Sequence, residues 1–163
     1  MLREPIDRAV SYYYFIMRSS ESPNYTHPNF KDVESHSMIE FYEKTKYQNM
    51  QTRMIAGIAG TQVGRYINLN NQFGRIFLKI AKCNLINNYE AYGLKECFKD
   101  SLELFAMKFH FELNMPKQDY KKTPQRPSVH RLSDEVVQQL KQSNSLDLEL
   151  YDFAEEHFEE QFK

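Results

Sequence analysis

Over most of the chain, apolar positions recur with the helical period of about 3.6 residues, which predicts a succession of helices. The first opens at Glu4-Pro5, where proline fits the first helical position and an acidic residue suits the helix dipole. Ile6, Val10, Tyr13, Tyr14 and Met17 then make one apolar stripe. Residues 19–30 are rich in Ser, Pro and Asn, which predicts a loop. Ser37 to Lys46 predicts a helix with Met38, Phe41 and Tyr42 inward, and Tyr47 to Gly57 a helix stopped by its glycine. Residues 58–66, punctuated by Gly60 and Gly64, read as irregular. Helical spacing returns from Asn70 to Leu85 through Phe73, Phe77, Ile80 and Ala81. Tyr89 to Leu94 reads as a short strand breaking at Gly93, followed by a helix from Glu96 to Phe111 with Phe98, Leu102, Phe105 and Phe109 on its apolar face. Ser133 caps a helix holding Val136, Val137 and Leu140. A last helix, Leu146 to Phe162, carries Leu150, Phe153, Ala154, His157 and Phe158, with His157 read as a packed side chain. Helix, strand, helix is the order of an α/β sheet with covering helices.

Composition narrows the class. At 163 residues the chain suits one domain with a real core, here taken as residues 1–163. A formal charge of −1 gives no reason to expect a nucleic-acid partner. The charge is uneven, however: Lys117 to Arg131 is basic and Asp147 to Glu160 acidic. Cys83 and Cys97 read as buried thiols, with pairing left open by their spacing. No C-x-x-C or H-E-x-x-H occurs and the five histidines are scattered, so no metal site is expected. No apolar run approaches membrane-spanning length, and the start is not a signal peptide. His27 and His36 are candidate acid–base groups, although a loop histidine is more often plain surface.

One stretch looks like chemistry rather than packing. In Leu2-Arg3-Glu4-Pro5-Ile6-Asp7-Arg8-Ala9-Val10-Ser11-Tyr12-Tyr13-Tyr14, a guanidinium precedes a helix and a hydroxyl lies on it. Such a pair can hold a phosphate or sulfate. It is equally an amphipathic helix with a surface Arg and Ser. A second polar cluster, Asn49, Gln51, Thr52 and Arg53, could read a sugar's hydroxyls or carboxylate, or simply sit on a capped helix. The basic residues 114–131 contain three prolines and read either as a functional loop or as a solvated linker.

The Arg3-x7-Ser11 segment with its run of tyrosines resembles the 3′-phosphate-binding segment of sulfotransferases that use 3′-phosphoadenosine 5′-phosphosulfate (PAPS). Ala81-Lys82-Cys83-Asn84-Leu85-Ile86-Asn87-Asn88-Tyr89 is similar to wording in heparan sulfate 2-O-sulfotransferase, and Asn49 to Gly57 to wording in bacterial members. Leu146 to Ala154 resembles a family ending. The resemblance implies an α/β fold: the C-terminal part of a P-loop-type sulfotransferase domain, predominantly helical here with one or two short parallel strands. It implies that Arg3 and Ser11 contact the 3′-phosphate of the donor PAPS, with Lys122, Thr123 and Arg126 closing over it. The acceptor would be a hydroxyl of a carbohydrate. The catalytic base and phosphosulfate loop belong upstream of this segment, so no residue here is nominated as catalytic, and the isolated piece is expected to be inactive. The compartment would be cytoplasmic for a bacterial protein and the Golgi lumen for a eukaryotic one. Two other readings compete: a non-catalytic helical remnant binding a partner protein or an anionic ligand through the basic loop, and a P-loop kinase fragment.

Overall fold

The first helix begins where its own sequence places it. In the computed structural model, which describes residues 1–113 and 126–163, α1 runs Pro5–Arg18. The Glu4 carboxylate accepts from the Ile6 and Asp7 N–H groups at 3.0 and 2.6 Å, satisfying donors that a helix start otherwise leaves open. Ile6, Ala9, Val10, Tyr13 and Ile16 are buried, while Met17 is exposed. A 3-10 turn, Ser19–Glu21, leads into the loop, which ends at α2 (Phe30–Glu34). α3 (Met38–Glu43) starts with a capping box: the Ser37 hydroxyl accepts from the Glu40 N–H while the Glu40 carboxylate accepts from the Ser37 N–H. Then come α4 (Met50–Ile55), α5 (Gln62–Tyr66), α6 (Gln72–Asn87), α7 (Phe98–Phe109), α8 (Asp134–Ser143) and α9 (Ser145–Glu156).

Apolar side chains collect in two clusters. Leu78, Ala81 and Leu85 of α6 meet Leu146, Leu150 and Ala154 of α9 and, with Leu2 and Leu94, make the first. Ile6, Val10, Phe41, Tyr42 and Leu140, from α1, α3 and α8, make the second. Where α9 begins, buried polar residues join them. The Asp147 carboxylate of α9 accepts from the Gln51 and Thr52 N–H groups at the start of α4, at 2.9 and 2.7 Å. In return the Asn49 amide oxygen accepts from the Leu146 and Asp147 N–H groups at the start of α9, at 2.9 and 3.2 Å. Each helix thus caps the other. Asn49 has a positive φ of 51°, a conformation asparagine tolerates better than most side chains.

Several expectations are corrected. The polar cluster does not face solvent: Asn49, Gln51, Thr52 and Arg53 are all buried. Arg53 donates to the carbonyls of Thr45, Gln48, Gly64 and Ile67, binding loops instead of a ligand. Residues 58–61 are irregular as expected but 62–66 are not, because Thr61 caps α5 through the Gly64 N–H at 2.8 Å. Gly64 is there for close approach: a Cβ would lie 1.7 Å from the Ile58 carbonyl oxygen. The strand expected at Tyr89 to Leu94 reduces to one parallel bridge, Leu2 with Leu94, so the described residues are helical and display no α/β sheet. Ser101 explains why the pairing stops there: its hydroxyl donates to the Leu94 carbonyl and accepts from the Leu94 N–H. α7 therefore packs through Ser101 and Leu104, leaving Phe98 and Phe109 exposed where periodicity alone put them inward. The last helix ends at Glu156, with a 3-10 turn, Glu159–Phe162, after it. Cys83 and Cys97 are unpaired thiols but not buried ones, Cys83 being exposed and Cys97 half-buried. The His157 ring lies 4.2 Å from that of Phe153, tilted by 33°, and bonds the Phe153 carbonyl, so it is packed as expected.

Asp147→Ala strips two donors at the start of α4 and is expected to destabilise the chain by about 2–4 kcal/mol, read from urea unfolding. Asp32 tests a surface contact. Lys44 and Lys46 donate to its carboxylate at 2.7 Å each and Tyr47 adds a third bond, and together they hold its carboxyl far below the usual range. A carboxyl depressed on folding contributes stability that is complete at neutral pH and is lost as pH falls through and below the ordinary carboxylate range. Asp32→Asn should therefore flatten the acid side of the thermal-stability profile while lowering the neutral plateau.

Candidate anion-binding site

Residues 2 and 3 behave as a short piece of strand, whose hydrogen-bonding groups alternate sides. Leu2 donates to the Gly93 carbonyl at 2.7 Å and accepts from the Lys95 N–H at 2.8 Å. Arg3 points its main-chain groups the other way, to the side-chain amide of Gln51. The Arg3 N–H donates to Gln51 Oε1 and Gln51 Nε2 donates to the Arg3 carbonyl, both at 2.9 Å. Gln51 stands in for a neighbouring strand, so its part is to hold Arg3 rather than a sugar.

Fixed in this way, the Arg3 guanidinium reaches Asp7 on the first turn of α1, with Nε 2.8 Å from Oδ2 and a second bond from Nη2. Arg126, from 119 residues away, donates from Nη1 to the other Asp7 oxygen at 2.6 Å. Burial pushes the Asp7 carboxyl up, but hydrogen bonds from Arg126 and Arg3 outweigh it and leave the group below its ordinary value. Two guanidiniums against one carboxylate leave one surplus positive charge at a half-buried spot. Ser11 follows Asp7 by four residues on the same face of α1. It is half-buried, and its hydroxyl makes no hydrogen bond to another described residue.

The structure thus brings Arg3 and Arg126 together and sets Ser11 one turn beyond them. Lys122 and Thr123 lie outside the described residues. The first N–H groups of α1 are already engaged by Glu4, so an anion here would be held by side chains and not by the helix end. Sequence reading missed Asp7 although the i,i+4 spacing from Arg3 signals the pair. The family resemblance named Arg126 at the same ligand as Arg3, but no local spacing signalled its bond to Asp7. Neither loop histidine approaches the cluster through a hydrogen bond: His27 bonds Asn29, and His36 bonds Ser35 and the Asp32 carbonyl. Among the described residues no group of His, Cys, Asp or Glu is arranged to hold a metal ion, and no helix is long and apolar enough to cross a membrane.

The chain is similar to sulfotransferases. It is 26% identical, over all its length, to heparan-sulfate 6-O-sulfotransferase 1-B of Danio rerio and 23% identical to heparan-sulfate 6-O-sulfotransferase 1 of Homo sapiens. To heparan-sulfate 6-O-sulfotransferase 2 of Homo sapiens it is 30% identical over 119 residues, 71% of this chain and 19% of that protein. The chain spans less than half the length of the relatives it matches throughout, 44% of the zebrafish protein and 43% of the human one. No family model matches it, and no solved structure does. These relatives carry 6-O names whereas the motifs resemble a 2-O enzyme, so what the two share is the sulfotransferase class.

Asp7→Asn removes the negative charge between the two guanidiniums. It is expected to bind sulfate several-fold more tightly than the native chain, seen as a larger rise in melting temperature with millimolar sulfate at low ionic strength.

Proposed function

We propose that this chain is the C-terminal portion of a sulfotransferase domain that moves a sulfuryl group from PAPS to a hydroxyl of a carbohydrate acceptor. The observation that carries the reading is the meeting of Arg3 and Arg126, with surplus positive charge, one turn from the Ser11 hydroxyl, to which no other described residue is bonded. The 3′-phosphate of the donor fits such a set: two guanidiniums offer charge-assisted bonds and the serine a neutral one. Lys122 and Thr123 remain in this proposal as residues closing over the nucleotide. Asp7 pre-orients the guanidiniums, and an arriving phosphate shares them with it.

In the transfer, the acceptor oxygen bonds to sulfur while the sulfur–oxygen bond to the nucleotide breaks, and a base takes the acceptor's proton. The leaving group is adenosine 3′,5′-bisphosphate. The part of Arg3, Ser11 and Arg126 is to bind and orient the nucleotide, which fixes the direction from which its sulfur meets the acceptor. The base and the phosphosulfate loop are assigned to a segment other than this one. Similarity over the whole chain to 6-O enzymes favours the 6-hydroxyl of a heparan-type sugar over the 2-hydroxyl, and the vertebrate relatives favour the Golgi lumen. The competing reading, a non-catalytic helical remnant that binds a partner or an anion, is favoured by one fact: Asp7 already engages both guanidiniums.

Isothermal titration with adenosine 3′,5′-bisphosphate decides between them. The native chain is expected to bind, Arg3→Ala about tenfold or more weakly and Ser11→Ala about three- to fivefold more weakly, with circular dichroism unchanged. Absence of binding, or binding indifferent to both substitutions, would remove the donor site from this chain.

A further inference from the structure

From Lys44 to Tyr89 the sequence holds seven lysines and arginines and no Asp or Glu, in a chain with 22 acidic residues to 21 basic. The candidate anion site draws only Gln51 from this stretch. Its longest element is α6, whose Gly74, Leu78, Ala81 and Leu85 form the buried side. The helices packed on α6 meet that side and its edges. Asn84 donates to the Ile55 carbonyl at the end of α4 at 2.8 Å, and Lys82 donates to Glu149 of α9 at 3.2 Å.

A second apolar row runs along the far side of the same helix. Phe73, Ile76 and Ile80 are 47%, 54% and 38% exposed, and Cys83, also exposed, continues them at helical spacing. The row covers about three turns. Asn87 closes it, donating to the Cys83 carbonyl at 3.0 Å. Lys79 flanks the row, exposed and without an ion pair among the described residues. Arg75 flanks it too, largely exposed although it bonds Glu149. One helix earlier, Val63, Arg65 and Tyr66 are exposed as well. An uncovered apolar row of this kind calls for an occupant.

Charge and shape select one. A partner helix seats in a groove, whereas this row is a ridge on a single helix. A second copy packed row to row would set Lys79 and Arg75 of both chains along one seam, and α6 carries no acidic residue to answer them. An anionic bilayer surface offers an apolar layer and negative charge in one plane.

We propose that the exposed row of α6 is a contact for an anionic lipid surface, with the helix lying in the plane of the interface. Phe73, Ile76 and Ile80 enter the boundary between headgroups and acyl chains, while Lys79 and Arg75 extend along it to lipid phosphates. No described helix is long and apolar enough to cross a membrane, so the contact is peripheral. It does not rest on the sulfotransferase reading, because Arg3, Ser11 and Arg126 take no part in it.

The chain has no tryptophan, so Phe73→Trp places a single fluorescent reporter on the row. With vesicles of phosphatidylcholine and phosphatidylserine at low ionic strength, its emission is expected to shift to the blue and saturate. Partitioning should weaken about tenfold when Ile76→Asn and Ile80→Asn are added, about threefold with Lys79→Glu, and further as salt is raised. Arg3→Ala should leave it unchanged. The altered residues of α6 are all exposed, and circular dichroism checks that the fold persists. Absence of binding, equal binding to phosphatidylcholine vesicles, or indifference to the α6 substitutions overturns the proposal. Loss of binding in Arg3→Ala does so too, by moving the lipid contact to the anion site. Sedimentation velocity without vesicles covers the remaining case: self-association abolished by Ile76→Asn/Ile80→Asn gives the row to a second copy and overturns the lipid contact.

Discussion

The architecture depends on a reciprocal exchange of caps between the starts of α4 and α9. α4 has only six residues, too few to hold together on local propensity. Its first N–H groups are satisfied by Asp147, a fully buried carboxylate from the far end of the sequence. α9 has no capping bond from its own Asn144 and takes one from Asn49 instead. Asn144 completes the joint, accepting from the Asn49 N–H and donating to the Leu140 carbonyl at the end of α8. Burial pushes the Asp147 carboxyl upward and the backbone N–H groups pull it back, with burial the larger effect. The charge is stabilised by the donors and dipole of the helix it caps, with the Arg8 guanidinium adding a favourable charge interaction.

That joint also sets the candidate site. Asp147 fixes the Gln51 main chain, and the Gln51 side chain then pairs with both main-chain groups of Arg3. The guanidinium therefore leaves from a backbone held on two sides, by residues 93–95 and by Gln51. A long side chain loses considerable rotational freedom on being held. Here much of that freedom is already spent before any ligand arrives, because Asp7 and the paired backbone orient Arg3 in advance.

Asp7 gives the site two aspects. It gathers Arg3 with a residue far along the chain, and it neutralises half of the charge it gathers. A dianionic phosphate answers two guanidiniums more strongly than a carboxylate does, which is what the proposed donor site asks of this clasp. The whole-chain similarity to sulfotransferases and the local electrostatics point the same way.

Local patterns determined much of this protein by themselves. Pro5, Ser37 and Ser133 mark helix starts, and Ile6, Val10, Tyr13, Ala81 and Leu85 were legible as buried positions, because caps and periodicity act within a few residues. Met17, Phe73 and Ile80, read on the same stripes, are exposed. The pairing of Arg3 with Asp7 was legible too, being one turn apart. Tertiary structure alone decided the rest. Whether Asn49, Gln51 and Arg53 face water or seal a joint depends on which helix end comes to lie against them. Whether Phe98 and Phe109 are covered depends on how α7 lies against residues 93–94, where a Cβ on Gly93 would come within 2.7 Å of the Ser101 Cβ. Arg126 meets Asp7 from 119 positions away in sequence. Contacts of that reach leave no periodic trace, since chain topology and not local spacing brings the partners together.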